Sequence, residues 1–535
     1  MSLCGEWELS VKTKNEVTSI GKINVPFPVE SRLSGIERML KKGESYVYSR
    51  TFRIESGFNR GRIILHFGAV DQIARVKVNG IFAGENVGGY LPFSIDISEY
   101  AHEGDNTVEL EAIDMLDKTY PYGKQRKKRG GMWYTEVSGI WQAVWLESVP
   151  REYVRSLMIT SSISSVKIKT EGGALRKTIT LQSGERFEYE GDEVEISPSK
   201  IRLWTTDDPY LYNFTLECGE DKIESYFALR TVDIRKINGV SRICLNGKPV
   251  FFHGLLDQGY FSDGIYLPAS PRGYEFDILK MKECGFNMLR KHIKIEPELF
   301  YYYCDKYGML VFQDMVNSGP YNFLIDTALP TAGVKRGISH RATRARREFF
   351  EKHSKDTIAH LYNHPSVVYY TIFNEGWGQY DADRIYLDLK AIDSSRIYDT
   401  ASGWFKPRLS DVESEHIYFK KIKLRPSDKP IILSEFGGYS CKDEEHSYNP
   451  YKTYGYKFFT SPEKFAEAMV SLYGNEVLPH IKTGLCGAVL TQVSDVEDET
   501  NGLLTYDRQV MKISPAEMRG ISEKLYSEFE KCTRE

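Results

Sequence analysis

Closely spaced cysteine pairs, a basic-then-apolar pattern at the N-terminus and a long apolar run are what this 535-residue sequence has little of. Its eight cysteines, Cys4, Cys218, Cys244, Cys284, Cys304, Cys441, Cys486 and Cys532, form no C-x-x-C pair and no dense small-domain spacing, so they read as free thiols in a reducing compartment. The opening M-S-L-C-G-E-W-E-L-S has no basic stretch leading into an apolar one, and no later stretch is apolar enough to span a bilayer. A cytoplasmic location and no membrane partner are expected. The sequon Asn213-Phe214-Thr215 then carries no glycosylation meaning. A formal net charge of −4 supplies no field that would draw in nucleic acid. The one basic run, 124–129, sits beside Gly130 and Gly131 and reads as a solvated loop, with a rim loop near a substrate as the alternative.

What the chain has is the composition of a multidomain globular protein: 41% hydrophobic and 27% charged residues, too apolar for disorder, over a length that exceeds a single core. Aromatics at 13% are mildly in favour of a sugar binder, since a ring face covers the C–H face of a pyranose, although core packing uses most aromatics in any protein.

Three segments differ in patterning. Residues 1–150 carry short alternating runs broken by turns, such as Ala74-Arg75-Val76-Lys77-Val78 before Asn79-Gly80, and 107–113, where Val108, Leu110 and Ala112 would line one sheet face. An antiparallel β-sandwich is predicted there, and a second, smaller one over 151–240. That second segment has no Cys…Trp…Cys core, so an immunoglobulin-like label is architectural only. Residues 241–535 change to apolar strand, loop and helix in repetition. Strands are predicted at 249–256, 287–293, 309–314, 366–373, 397–402, 414–419, 430–435 and 486–493, alternating with helices in a closed (β/α)8 barrel. One helix is expected to open at Ser270-Pro271 and end near Gly285, the next to run from Pro297 to Gly308, and a longer one, through 347–361, to stop before Pro365.

In such a barrel, polar residues just after the apolar strands build the site. Two glutamates stand there: Glu375 after the fourth strand, in Asn374-Glu375-Gly376-Trp377, and Glu435 after the seventh, in Ser434-Glu435-Phe436-Gly437. Strands four and seven lie nearly across the barrel, so the two carboxylates would converge over its mouth. That pairing suits glycoside hydrolysis, in which one carboxylic acid protonates the departing oxygen and the other stabilises or attacks the anomeric carbon. For either glutamate alone, helix capping or a structural ion pair would be the better reading.

These motifs also resemble glycoside hydrolase family two, the family of β-galactosidases, β-glucuronidases and β-mannosidases. The likeness runs in order along nearly the whole chain: V-P-F-P-V-E-S at Val25, H-F-G-A-V-D at His66, G-G-Y-L-P-F at Gly88, W-Y-T-E-V-S-G-I-W-Q at Trp133, L-N-G-K-P-V-F at Leu245, D-Q-G-Y at Asp257, G-F-N-M-L-R-K-H at Gly285, F-N-E-G-W-G-Q at Phe373 and S-E-F-G-G at Ser434. The resemblance implies a jelly-roll sugar-binding-type domain, an immunoglobulin-like sandwich and a catalytic TIM barrel, with Glu375 as general acid/base and Glu435 as nucleophile. Asn374 would then meet the sugar 2-hydroxyl, Tyr418 and Arg290 would hold Glu435 ionised, and His292 and His416 would face the sugar. Asp257 would take a hydroxyl, and Trp404 and Trp377 would offer stacking faces. Six of these neighbours have a structural alternative: loop support for Asn374, barrel packing for His292, Tyr418 and the two tryptophans, and turning the loop through Gly259 for Asp257.

Two departures from the family bear on the substrate. The eighth strand, Ala488-Val489-Leu490-Thr491-Gln492-Val493, has no tryptophan for the floor of the sugar site, and Asn501-Gly502-Leu503 lacks the lysine of the β-glucuronidase signature. The missing lysine disfavours a uronic acid. The resemblance implies a retaining exo-β-glycosidase, with β-galactosidase first because it is common in the family and not because of any residue here; β-mannosidase, β-glucuronidase or transglycosidase are the alternatives and a non-catalytic carbohydrate-binding protein is the rival of another class. No cofactor and no essential metal are expected; the partner is a carbohydrate, and homo-oligomerisation is left open.

Overall fold

The computed structural model describes residues 1–332 and 342–534. At the N-terminus a six-stranded antiparallel sheet runs in the order Val17–Val25, Gly5–Lys12, Ser45–Ile54, Gly104–Ile113, Ile73–Val78, Ile81–Val87. A three-stranded sheet, Val144–Val149, Arg62–Phe67 and Phe93–Asp96, shares its core. Alternation decides which face is inside: Val108, Leu110 and Ala112 of one strand and Ala74, Val76 and Val78 of its neighbour are all buried in that core. Asn79 and Gly80, at φ 51° and 80°, make the tight left-handed turn into Ile81–Val87.

The second sandwich pairs Val154–Ser161, Val166–Gly172 and Glu193–Ile196 against a four-stranded sheet built on Arg176–Leu181 and Tyr212–Cys218. A hairpin, Val232–Ile237 with Val240–Leu245, leads into the barrel.

The eight barrel strands are Phe252–Asp257, Met288–Lys291, Leu310–Asp314, Val367–Asn374, Ile397–Ser402, Glu413–Ile417, Ile431–Gly437 and Leu485–Thr491. All eight coincide with predicted strands. Parallel strands covered on both faces are continuous apolar runs, which is why they stand out. They form one parallel sheet in the order five, four, three, two, one, eight, seven, six, so the barrel closes except between strands five and six.

The helices are more selective than the predicted alternation. Arg272–Glu283, Glu298–Tyr307, Arg344–Leu361, Ala382–Ile392, Pro462–Leu472 and Pro515–Thr533 follow strands one, two, three, four, seven and eight. No helix follows strand five or six among the described residues; the links there, 403–412 and 418–430, are irregular. The open seam and the missing helices coincide, so the outward residues of the sixth strand, Glu413, Glu415 and Ile417, are half-buried with no helix over them among the described residues. Helix ends obey local chemistry: Gly308 is left-handed at φ 71° and its N–H caps Cys304, while Ser514 and Glu517 form a reciprocal capping box. No helix is long and apolar enough to cross a membrane among the described residues.

Candidate active site

The two glutamates reach the barrel mouth by different backbone devices. Glu375 directly follows the fourth strand in a left-handed conformation, φ 52°, with its N–H donated to the Ser402 carbonyl at 3.0 Å. A non-glycine residue held there carries strain of about 1–2 kcal/mol, which the surrounding packing must offset. Gly376 follows at φ 76°, where a Cβ would sit 2.2 Å from the Phe405 ring. Glu435 lies inside the seventh strand, where the pairing slips: Glu415 faces Leu433, but His416 faces Glu435. The extra residue is a bulge that re-aims the carboxylate.

One oxygen of each glutamate and Nδ1 of His416 lie within 4.8 Å of one another. His416 Nδ1 is 2.9 Å from Glu375 Oε1 and 3.6 Å from Glu435 Oε2. From there the two surroundings diverge. Arg290 donates from Nη1 to Glu435 Oε1 at 3.0 Å and to the Ser434 carbonyl at 2.9 Å, from Nε to Asp314 at 3.0 Å, and from Nη2 to Asn374 Oδ1 at 2.9 Å. The Tyr418 hydroxyl donates to Glu435 Oε2 and lies 3.0 Å from Thr491 Oγ1. Its ring stacks on Tyr456 with centroids 4.0 Å apart.

The electrostatics follow. Burial pushes the Glu435 carboxyl up, but His416, Arg290 and His292 together with the Tyr418 hydroxyl outweigh it and hold the group down at about 2. Burial also pushes Glu375 up. The His416 hydrogen bond opposes this only in part, and the Glu435 charge adds to it, so Glu375 stays above the ordinary glutamate range. His292 is pushed down to about 4 by burial and by the Lys124 charge, against Asp314 at 2.7 Å from its Nδ1. The two carboxyls are thus held apart in proton affinity, Glu435 below the ordinary glutamate range and Glu375 above it.

The remaining predicted residues divide. Asn374 gives its Oδ1 to Arg290, and its buried Nδ2 has no partner among the described residues, leaving a donor for a ligand. Trp404 lines the cleft and sets its ring edge-on to His416 at 6.1 Å. Trp377 is buried and packs on Trp133 of the N-terminal domain, centroids 5.4 Å apart. Asp257 is committed elsewhere: Oδ2 takes Lys291 at 2.7 Å and Oδ1 takes the Gly259 N–H at 2.9 Å, the loop-turning arrangement. At the position without tryptophan, Gln492 accepts from Gln258 at 2.8 Å and donates to Asn501 at 2.9 Å.

Several contributors were not foreseen. Asp314, at the end of the third strand, anchors both Arg290 and His292, and the rule that picked out the glutamates, a polar residue ending an apolar strand, would have found it. The basic run is not a solvated loop throughout. Lys124 is only 7% exposed, its ammonium 5.5 Å from the Trp377 ring centroid and 5.8 Å from that of Tyr134. Arg126 lies over the Trp133 ring, and Arg129 reaches Glu497 at 3.5 Å and Asp498 at 3.4 Å on the barrel. The run docks because the buried acids of the loop after strand eight draw it in.

Comparison with known proteins agrees with this architecture. Residues 2–150 match the model for the sugar binding domain of glycosyl hydrolases family 2, and residues 236–510 match the model for that family's TIM barrel domain. A β-galactosidase of Priestia megaterium is 24% identical over 449 residues, 74% of this chain and 41% of that one. A β-glucuronidase of Streptococcus agalactiae is 21% identical over 537 residues, 87% of this chain and 86% of that one. The chain spans about two fifths of the length of curated β-galactosidases that it matches, 39%, 41% and 38% in three of them. Among solved structures, a β-glucuronidase from an uncultured Clostridium superposes with a TM-score of 0.78 at 19% identity, over 98% of this chain and 97% of that one.

Proposed function

The chain belongs to glycoside hydrolase family 2, and from that premise we propose that it is a retaining exo-β-glycosidase acting on a terminal, non-reducing β-linked sugar, with β-galactoside as the first substrate to test. The observation that carries the mechanism is the pairing of Glu375 and Glu435, with oxygens within 4.8 Å and opposite proton affinities. Carboxylates that close leave no room for a water between the sugar and the base. They suit a double displacement, whose typical separation is about 5–5.5 Å. In the first half, Glu435 attacks the anomeric carbon while Glu375 gives its proton to the departing oxygen. In the second, Glu375 takes a proton from water, which displaces Glu435 and restores the anomeric configuration. Exo action is supported by the N-terminal domain, which sets Trp133 and Lys124 against Trp377 at one side of the site.

A second reading, hydrolysis of a β-linked uronic acid, is favoured by Lys124. Its ammonium makes no hydrogen bond or ion pair among the described residues, only contacts with the Trp377 and Tyr134 rings, and a buried cation held by ring faces alone suits a ligand carboxylate. Against it stands the missing lysine beside Asn501. Nitrophenyl glycosides of galactose, glucose, mannose, glucuronic acid and arabinose, in both anomers, decide between the readings. The product's first-formed anomer, followed by NMR, tests retention. Turnover of a β-anomer giving β-product is expected; α-product would overturn the double displacement.

A further inference from the structure

The barrel flank without helices is part of the same space as the site. A cleft of about 1530 Å³ takes in Glu375, His416 and Trp404, and continues along the sixth strand past Glu415 to Glu413 at its far end. One wall of it is the irregular link after that strand. There burial alternates: Ile422 and Leu424 are buried, while Lys421, Lys423 and Arg425 are exposed and line the cleft. Residues two apart on an extended run are roughly 6.5–7 Å apart, so three cations stand in a row along one edge. None of the three forms an ion pair among the described residues. The acids of the floor do not neutralise them, because Glu413 and Glu415 both pair with Lys406, the latter at 2.7 Å. Phe419 and Phe323, each 64% exposed, line the same cleft and present faces of the kind that cover a sugar ring.

We propose that this helix-free flank is the leaving-group half of the substrate site and that it takes an anionic glycan, one bearing carboxylate or sulfate groups, on Lys421, Lys423 and Arg425. The assignment rests on the function proposed above, because Glu375 at the head of the cleft is what makes the occupant of the groove a leaving group. A row of like charges with no counter-charge among the described residues repels itself, and a polyanion lying along the groove removes that repulsion. A neutral glycan would make no use of it.

The full-length Glu375→Gln variant, unable to protonate a leaving group, allows binding to be measured by calorimetry without turnover. Three probes separate the chemistries: a galacturonic acid tetramer for carboxylate alone, a heparin-derived tetrasaccharide for sulfate and carboxylate together, and cellotetraose as the neutral control. At least one acidic probe is expected to bind about tenfold or more tighter than cellotetraose, and to weaken as salt is raised. Adding Lys421→Ser, Lys423→Ser and Arg425→Ser should remove that advantage and leave cellotetraose within about twofold. Should the triple variant melt early, the single reversal Lys423→Glu gives the same reading. Equal affinity for acidic and neutral probes, or acidic binding untouched by the substitutions, overturns the assignment. The premise is read separately on the nitrophenyl glycosides: acidic binding by a chain that hydrolyses none of them overturns the leaving-group role at its premise, whereas hydrolysis with no acidic preference overturns the cationic strip alone.

Discussion

The surroundings of Glu435 and of Glu375 differ although both are buried glutamates at one barrel mouth. Glu435 meets Arg290, Tyr418 and, at longer range, His416; Glu375 meets His416 at 2.9 Å and otherwise faces desolvation and its ionised neighbour. Desolvation is the largest influence on each, and by itself it would raise the proton affinity of both. The charges of His416 and Arg290 beside Glu435, with the Tyr418 hydroxyl, and not the depth of burial, separate them. The groups that hold Glu435 down come from two other strands: Arg290 from the second, and Tyr418 and His416 from the end of the sixth. Closing the sheet is what assembles the asymmetry.

The largest test of the contrast is to delete each carboxylate. Glu435→Gly is expected to lower turnover of an aryl β-glycoside by roughly 10⁴-fold or more, the scale on which removal of a nucleophile is felt. Added azide should restore it, yielding the glycosyl azide of opposite anomeric configuration. Glu375→Ala should spare substrates with good leaving groups in the first step and cripple those with poor ones. Azide rescue with retained configuration at position 435, or equal losses for both leaving groups at position 375, would dissolve the division of labour.

A smaller test removes one donor and leaves the carboxylates. Tyr418 helps hold the Glu435 carboxyl down, so Tyr418→Phe raises its proton affinity. The sign follows: Glu435 must be ionised to attack, hence the acidic limb of the kcat/KM profile moves to higher pH, while the alkaline limb, set by Glu375, stays. A loss of about 10²-fold at the optimum is in keeping with removing one donor to a reacting charge. An unmoved acidic limb would mean that Arg290 and His416 suffice.

How much of this was legible beforehand depends on what each feature looks like in one dimension. The eight strands were, because a parallel strand covered on both faces is an apolar run, and Glu375 and Glu435 were, because each ends such a run. The missing helices were not: the links 403–412 and 418–430 have ordinary loop lengths and end in strands that pair whether or not a helix lies between them. Asp257 shows the opposite case. It ends an apolar run as the glutamates do, and only the positions of Lys291 and the Gly259 N–H reveal that each of its oxygens already holds a partner within the protein. Lys124 was hidden by its neighbours, since in a run of five cations nothing marks the one that enters the barrel mouth.

That lysine offers the finest adjustment of the contrast. Lys124 lowers the proton affinity of Glu375 from across the domain boundary, working against burial and the Glu435 charge. Lys124→Met removes a cation and keeps an apolar stem over Trp377, so Glu375 holds its proton more tightly. Because Glu375 must be protonated to act, the alkaline limb of kcat/KM moves to higher pH, and the acidic limb stays with Glu435. The change at neutral pH should be under about tenfold, well below the loss of an acid itself. Lys124→Arg, which restores the charge, should return the limb toward its original position. A structural role alone would lower activity evenly across pH, and a glycone carboxylate held by Lys124 would instead raise KM for glucuronides while sparing galactosides, so the profile and the substrate panel together identify which task the N-terminal domain performs in the barrel's site.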